Sequence, residues 1–284
     1  MTAGPDFVAV GHVTLDQFDG ERRPGGAAYY AAVTAHRLGL RVGLLTSHGP
    51  DFPEDALPDG LSVVKVDARH TTTFAHARAA ASGRTLRMTG RAADLEVEDL
   101  PAPWREVPLA LLCPVAGEVD PLLAACFPDG SLGVLPQGWM RERGAGGAIA
   151  PRAWEDAALV LPHAQVLVVS EEDVAPFREE ALEWFQQVPV GAVTRGALGA
   201  TLFVNGEAYT VAPDSAVERD VTGAGDVFAT ALLVEYHRGA DPWEAAAAAA
   251  CAAAAAVEGT GAAAVPDRVA LAARLAAYRA RLAG

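Results

Sequence analysis

The feature of this sequence that most limits its fold is a repeated order of apolar run, glycine turn, helical stretch and apolar run. Residues 7–10 are continuously apolar and end at Gly11, which marks a strand covered on both faces, as in a parallel sheet. Gly25-Gly26 then opens a helical stretch over 27–38 that stops at Gly39, and 42–46 reads as the next strand. This is a βαβ unit. Further strands are expected near 110–112, 132–135, 166–169 and 191–194, with helical segments between them. The fold class is therefore α/β, a doubly wound, mostly parallel central sheet with helices on both faces.

Some segments depart from that rhythm. Residues 71–79 and 84–89 mix polar and apolar side chains without a helical period around Ser82-Gly83, which predicts a hairpin belonging to a small β lid. A second hairpin is expected over 200–204 and 207–211, because Asn205-Gly206 between them accepts the two positive φ angles of a type I′ turn. Gly144-Ala145-Gly146-Gly147 reads as a flexible loop. The final third is helical: 224–236, then 243–257 with Pro242 at its first position, then 267–282.

At 284 residues and about half apolar content, the chain fits one catalytic domain over 1–284, with a reduced lid from about 12–24 and 68–92. The apolar run at 245–257 is too short to cross a bilayer. The start lacks a basic segment before its apolar run and reads as a strand, not a secretory signal. Cys113, Cys126 and Cys251 are scattered and form no Cys-x-x-Cys pair, as expected of a reduced cytoplasmic protein.

The net charge of −14 disfavours nucleic acid and anionic membranes as partners. An anionic substrate could bind only at a focused site where backbone dipoles, a metal or a few basic side chains reverse the field. One stretch offers this. Asp220-Val221-Thr222-Gly223-Ala224-Gly225-Asp226 stands directly before a helix, so the amides of 223–226 point outward at its positive end. Small residues let a phosphoryl group approach the backbone, and Asp226 in the first turn faces the same spot. A carboxylate beside an anion hole suits phosphoryl transfer: Asp226 takes the proton of an attacking hydroxyl while the amides absorb charge on the γ-phosphoryl. Read alone, the same residues also fit an ordinary glycine turn with Asp226 as a helix-start residue.

Residues 220–226 followed by Val227-Phe228-Ala229 resemble the C-terminal signature of the ribokinase/PfkB carbohydrate kinase family. Pro24-Gly25-Gly26-Ala27-Ala28 with Arg37-Leu38-Gly39 resembles its N-terminal glycine motif. Thr194-Arg195-Gly196-Ala197-Leu198-Gly199 resembles the stretch that lines the nucleotide. Residues 71–76, 114–118 and the short span between Asp16 and Gly25 look most like the myo-inositol kinase branch.

The resemblance implies a ribokinase-like fold and an ATP-dependent kinase of a small polyol or sugar, with nucleoside, ribose and fructose kinases as alternatives. It makes Asp226 the base and Gly223, Ala224 and Gly225 the anion hole. Asp16, Gly25, Gly26, Gln137 and Arg141 become substrate-binding, although Leu135 replaces the family's usual Asp. Thr194, Gly196, Gly199, Thr222 and Ala252 fall at the nucleotide. Ser170-Glu171-Glu172-Asp173 stands at the family's Asn-x-x-Glu motif, so Asp173 would meet Mg²⁺ through water; a helix-capping acidic cluster is the other reading. Asp220 and Gly261 match positions that bind a monovalent cation, K⁺ in this reading. Tyr29 and Tyr30 are either polar contacts or core. A monomer or homodimer is expected.

Other function classes fit these residues less well. Gly259-Thr260-Gly261-Ala262-Ala263-Ala264 superficially resembles a dinucleotide fingerprint, but it follows a helix instead of a strand. No Walker A sequence is present. A catalytically silent sugar- or nucleotide-binding protein on this fold is the non-enzymatic reading, against which the intact Asp226 and its glycines argue.

Overall fold

The computed structural model describes residues 4–79, 83–239 and 241–283. Its strands are β1 (Phe7–Val10), β2 (Thr14–Phe18), β3 (Glu21–Gly25), β4 (Val42–His48), β5 (Ser62–Asp67), β6 (Thr72–Ala79), β7 (Gly83–Gly90), β8 (Leu109–Leu112), β9 (Ser131–Val134), β10 (Arg141–Arg143), β11 (Ile149–Pro151), β12 (Ala164–Ser170), β13 (Val190–Thr194), β14 (Ala200–Val204) and β15 (Glu207–Val211). The α-helices are α1 (Ala27–Arg37), α2 (Ala157–Val160), α3 (Glu171–Val174), α4 (Arg178–Phe185), α5 (Ala224–His237), α6 (Pro242–Ala256) and α7 (Arg268–Ala283).

Nine strands form one sheet in the order β15-β14-β13-β12-β9-β8-β1-β4-β5. Every pair from β13 to β5 is parallel, and β14 and β15 close one edge as an antiparallel hairpin. Alternation along β1 explains why its sequence is apolar throughout. Phe7 and Ala9 join a core shared with α1, α5 and α6, while Val8 and Val10 join the core of the opposite face with Trp104, Trp139 and Trp154. The chain leaves β1 for β4 on one side and returns to β8 on the other, so a crevice opens at the carboxyl end of β1.

The Asn205-Gly206 turn has φ of 48° and 81°, as the dipeptide predicts. The lid is a four-stranded sheet, β3-β2-β6-β7, and its first hairpin turns at Asp19-Gly20 with φ of 49° and 92°. That Asp-Gly pair is a hairpin signal the sequence reading passed over. Ser82, placed by that reading in the second lid turn, lies outside the described residues.

The lid is anchored where it leaves the base. His12 is fully buried just after β1, with Nε2 donating to the Ala93 carbonyl at 2.7 Å and Nδ1 accepting from Thr72 Oγ1 at 2.7 Å. Glu118, also buried, accepts the N–H groups of His12, Val115 and Ala116. A buried carboxylate is tolerated because these amides replace its water.

Residues 144–147 are not a flexible loop: they form the turn of the antiparallel ribbon β10–β11, which packs on lid strand β7. Gly147 has φ of 82°, and a Cβ there would lie 2.3 Å from the Met88 carbonyl. The three cysteines are free. Among the described residues, no helix is long and apolar enough to cross a membrane.

Candidate active site

Residues 223–226 meet the cavity at the start of α5. Gly223 is the N-cap residue in the left-handed region, φ 79°, and a Cβ on it would lie 2.4 Å from the Tyr30 ring. Tyr30 is therefore the buried floor of the loop, a role that sequence left between ligand contact and core packing. The Ala224 N–H bonds the Val221 carbonyl at 3.3 Å, and the Val227 N–H bonds Gly223 at 2.9 Å. The amides of Gly225 and Asp226 have no protein acceptor among the described residues, and nothing lies within 4 Å of where a Gly225 side chain would project. Two free donors at the positive end of a 14-residue helix, with open space before them, make an anion hollow.

Asp226 lines a small cavity, about 50 Å³ and open to solvent, together with Gln137, Ser170, Asp173, Thr194 and Gly225. The residue as a whole is partly exposed, while dense protein surrounds its carboxyl. Burial pushes its pKa up to about 7; Arg141 pulls it down, and the Asp16 and Asp173 carboxylates add to the rise. A carboxyl poised near neutrality can accept a proton from a hydroxyl with useful driving force.

On the lid side, Asp16 is 7% exposed on β2. A Cβ on Gly25 would lie 2.0 Å from Asp16 Oδ2, so the glycine makes room for the carboxylate. Gly26, next in the chain, approaches the His12 carbonyl as closely as a glycine can, its missing Cβ falling 2.6 Å away. His76 Nε2 is 3.4 Å from Asp16 Oδ1. The pairings of β3, β2, β6 and β7 place Arg23, Asp16, Phe74 and Met88 in one row, and Glu21, Phe18, His76 and Leu86 two residues on, in the next row of the same face. Arg141 holds its guanidinium 5.8 Å over the Phe74 ring. Burial lowers its pKa while Asp173, Asp226, Asp16 and Glu118 oppose the shift. The guanidinium stays charged, and no carboxylate comes within ion-pair distance of it among the described residues. It is a buried cation near enough to Asp226 to act on its charge.

The remaining positions divide. Ser170 caps α3 by accepting the Asp173 N–H at 3.0 Å, so the capping reading holds. The same residues also line the cavity: Asp173 Oδ2 accepts from Ser170 Oγ at 2.6 Å and from Gln137 Nε2 at 2.9 Å. Among the described residues, no group of three or more His, Cys, Asp or Glu could hold a metal. With Asp226 reserved for the proton, Asp173 is left to meet an ion carried in by phosphates and water, touched through its hydration shell.

Asp220 accepts the N–H of Thr222 on one oxygen and of Gly261 on the other, both at 3.0 Å. Burial raises its pKa, but the bonds from Gly261 and Thr222 and the charge of Arg23 outweigh this and leave it below the usual range. A monovalent cation would share those oxygens with the two amides. Gly196 and Gly199 flank the exposed turn after β13 at positive φ, and Thr194 faces the cavity. Ala252 is displaced from its expected role. It is fully buried in α6 within the core and does not line the cavity, because the alanine-rich helix packs tightly on α5. Phe74 and Met140, which sequence did not single out, stand at the site because strand pairing and the 136–140 turn put them there.

Comparison with known proteins follows the same lines. The family model described as "pfkB family carbohydrate kinase" matches residues 6–268. The chain is 25% identical over 258 residues to a cytidine kinase of Thermococcus kodakarensis, covering 82% of this chain and 89% of that one. A pyrophosphate-dependent kinase of the ribokinase family, solved with a pyrophosphate analog and myo-inositol, superposes with a TM-score of 0.77 at 22% identity, over 94% of this chain and 99% of its own. Arabidopsis thaliana ribokinase with ribose and ATP gives 0.74 at 20% identity, over 96% and 99%. The fold is ribokinase-like.

Proposed function

Since the chain belongs to the pfkB family of carbohydrate kinases, we propose that it transfers the γ-phosphoryl group of ATP to a hydroxyl of a small polyol or sugar, an inositol-like ring being favoured. The observation that carries this is the meeting of Asp226, its pKa raised to about 7, with the two free amides of the α5 start, and with Arg141 and Asp16 near enough to act on its charge. The acceptor lies under the lid with its hydroxyl edge toward Asp16 and Arg141 and a C–H face toward Phe74.

Asp226 removes the proton of the hydroxyl as its oxygen bonds to the γ-phosphorus. The bond from that phosphorus to the bridging oxygen breaks, and the electron pair leaves with ADP. The Gly225 and Asp226 amides donate to the equatorial oxygens as charge moves across them. A magnesium ion bound with the nucleotide would neutralise phosphate charge, with Asp173 as its outer contact.

A nucleoside acceptor is the second reading, favoured by the cytidine kinase relative and by the Phe18–His76 ring stack at 4.3 Å, a surface on which a base could lie. ATP consumption with inositols, ribose, fructose and nucleosides in Mg²⁺ and K⁺ separates these. One class should turn over, with kcat/KM rising about tenfold from pH 6 to pH 8 as Asp226 ionises around about 7. Asp226→Asn should abolish turnover with nucleotide binding retained. Undiminished turnover in that variant would refute the base, and nucleotide binding with no turnover of any acceptor would favour a silent binding protein.

A further inference from the structure

Arg141 enters the site from the base, yet the ribbon it begins runs outward to the lid. At the ribbon's far end Arg87 of β7 pairs with Ala148 as an isolated antiparallel bridge. Its guanidinium grips the Gly146 carbonyl with Nε at 3.1 Å and with a second N–H. Gly147 presses its backbone on Met88, where any side chain would collide. At the near end Arg141 lies over Phe74 of β6, and Phe74 pairs with Met88 across the lid. The ribbon's root is held as well, by the Arg152 N–H to the Met140 carbonyl and by Gln137 to Asp173. The lid thus touches the base at its hinge and again through a two-stranded strut, three residues long, that carries a charged group acting on Asp226.

We propose that this ribbon is a strut that makes lid position and Arg141 placement one variable, and that Arg87, remote from the chemistry, is a positioning residue acting through Gly146 and Arg141. A lid without the strut could close over an acceptor while the guanidinium stayed behind. With it, the row holding Asp16 and Phe74 and the cation opposite arrive together. The inference rests on the kinase reading for its kinetic consequence, but not for its mechanical one.

The test is a double-substitution cycle on the full chain with Arg87→Met, which keeps the stem and removes the donors, and Arg141→Met. Arg87→Met should lower kcat/KM about tenfold, the scale expected when a reacting geometry is loosened from a distance. Arg87→Lys should restore part of it. Once Arg141 is gone the strut has nothing to deliver, so the double variant should be no worse than Arg141→Met. Arg87→Met should also move the acid limb of kcat/KM upward, in the direction given by Arg141→Met. The charged and titratable groups around Asp226 are Arg141, Asp16, Asp173, Tyr30 and Cys113; of these Arg141 stands on the ribbon and Asp16 on the lid it braces, and withdrawal of the Arg141 charge is the one of the two changes that moves the limb upward. Losses that multiply in the double variant, or a lowered melting point with kcat/KM and the acid limb unchanged, would reduce Arg87 to a surface hydrogen bond and overturn the proposal.

Hydrogen exchange decides the mechanical claim without turnover. Arg87→Met should speed exchange in both 147–151 and 85–90, and unchanged exchange in either segment overturns the strut. A wild-type protein that phosphorylates nothing on the panel while showing this coupled exchange would sink the kinase reading and leave the strut standing.

Discussion

Replacing Asp226 by Asn should stabilise the protein, and by an amount that grows with pH. In the unfolded chain this carboxyl loses its proton near 3.8, whereas in the folded protein burial among carboxylates holds it to about 7. The folded state therefore binds more protons between those values. The stability the group contributes is whole below pH 3.8, declines as pH rises, and is gone once pH passes about 7. Three units of difference correspond to about 4 kcal/mol at pH 8, and the part already lost at pH 5 to about 2 kcal/mol, both as upper bounds. The partial exposure of Asp226 lets solvent screen some of this, so the advantage of the near-isosteric Asn, which never ionises, should grow by about 1 to 2 kcal/mol from pH 5 to pH 8. Urea unfolding of both proteins at both pH values, extrapolated linearly to water, measures it as a difference of differences in which the rest of the titration cancels. An advantage equal at the two pH values, or a wild type more stable at pH 8, would show that Asp226 ionises freely in the folded protein and would remove the physical basis for its role as a near-neutral base.

Other substitutions probe the cradle and its supports. Gly25→Ala places a methyl 2.0 Å from Asp16 Oδ2 and should raise the KM for the acceptor about tenfold or more while sparing the donor KM, as initial rates would show. Gly223→Ala sets a side chain at φ 79° against the Tyr30 ring and should cost about 1 to 3 kcal/mol in denaturant unfolding. Gly225→Ala meets nothing within 4 Å and should leave unfolding almost untouched while weakening nucleotide binding, seen by calorimetry, because its methyl fills the phosphate's space. Asp214, its side chain 2% exposed, joins Arg274 and Arg281 of α7, and Asp214→Ala should destabilise by about 2 to 4 kcal/mol by leaving the partly buried Arg274 short of a partner.

The elements legible in the sequence were those fixed by neighbours along the chain. A run such as Phe7–Val10, the Asn205-Gly206 turn and the glycine-rich start of α5 each declare their backbone within a few residues, because steric limits on φ and the unpaired amides of a helix start are local facts. The lid hairpin at Asp19-Gly20 carried the same kind of signal and was passed over. The ribbon over 141–151 carried none: three-residue strands have no period to read, and its glycines look like slack until β7 lies against them.

What the sequence by itself determined, then, was a parallel α/β sheet with an anion hollow and a carboxylate at one helix start. It also supplied the side chains that could serve there, Asp16, Arg141 and Asp173 among them. Only the tertiary structure decided that these three face Asp226 closely enough to set its proton affinity, and that Ala252 turns into the core instead of the cavity. The reason is that φ preferences and helix dipoles act over a turn of chain, whereas charge coupling and burial depend on distance through space, which the fold alone assigns.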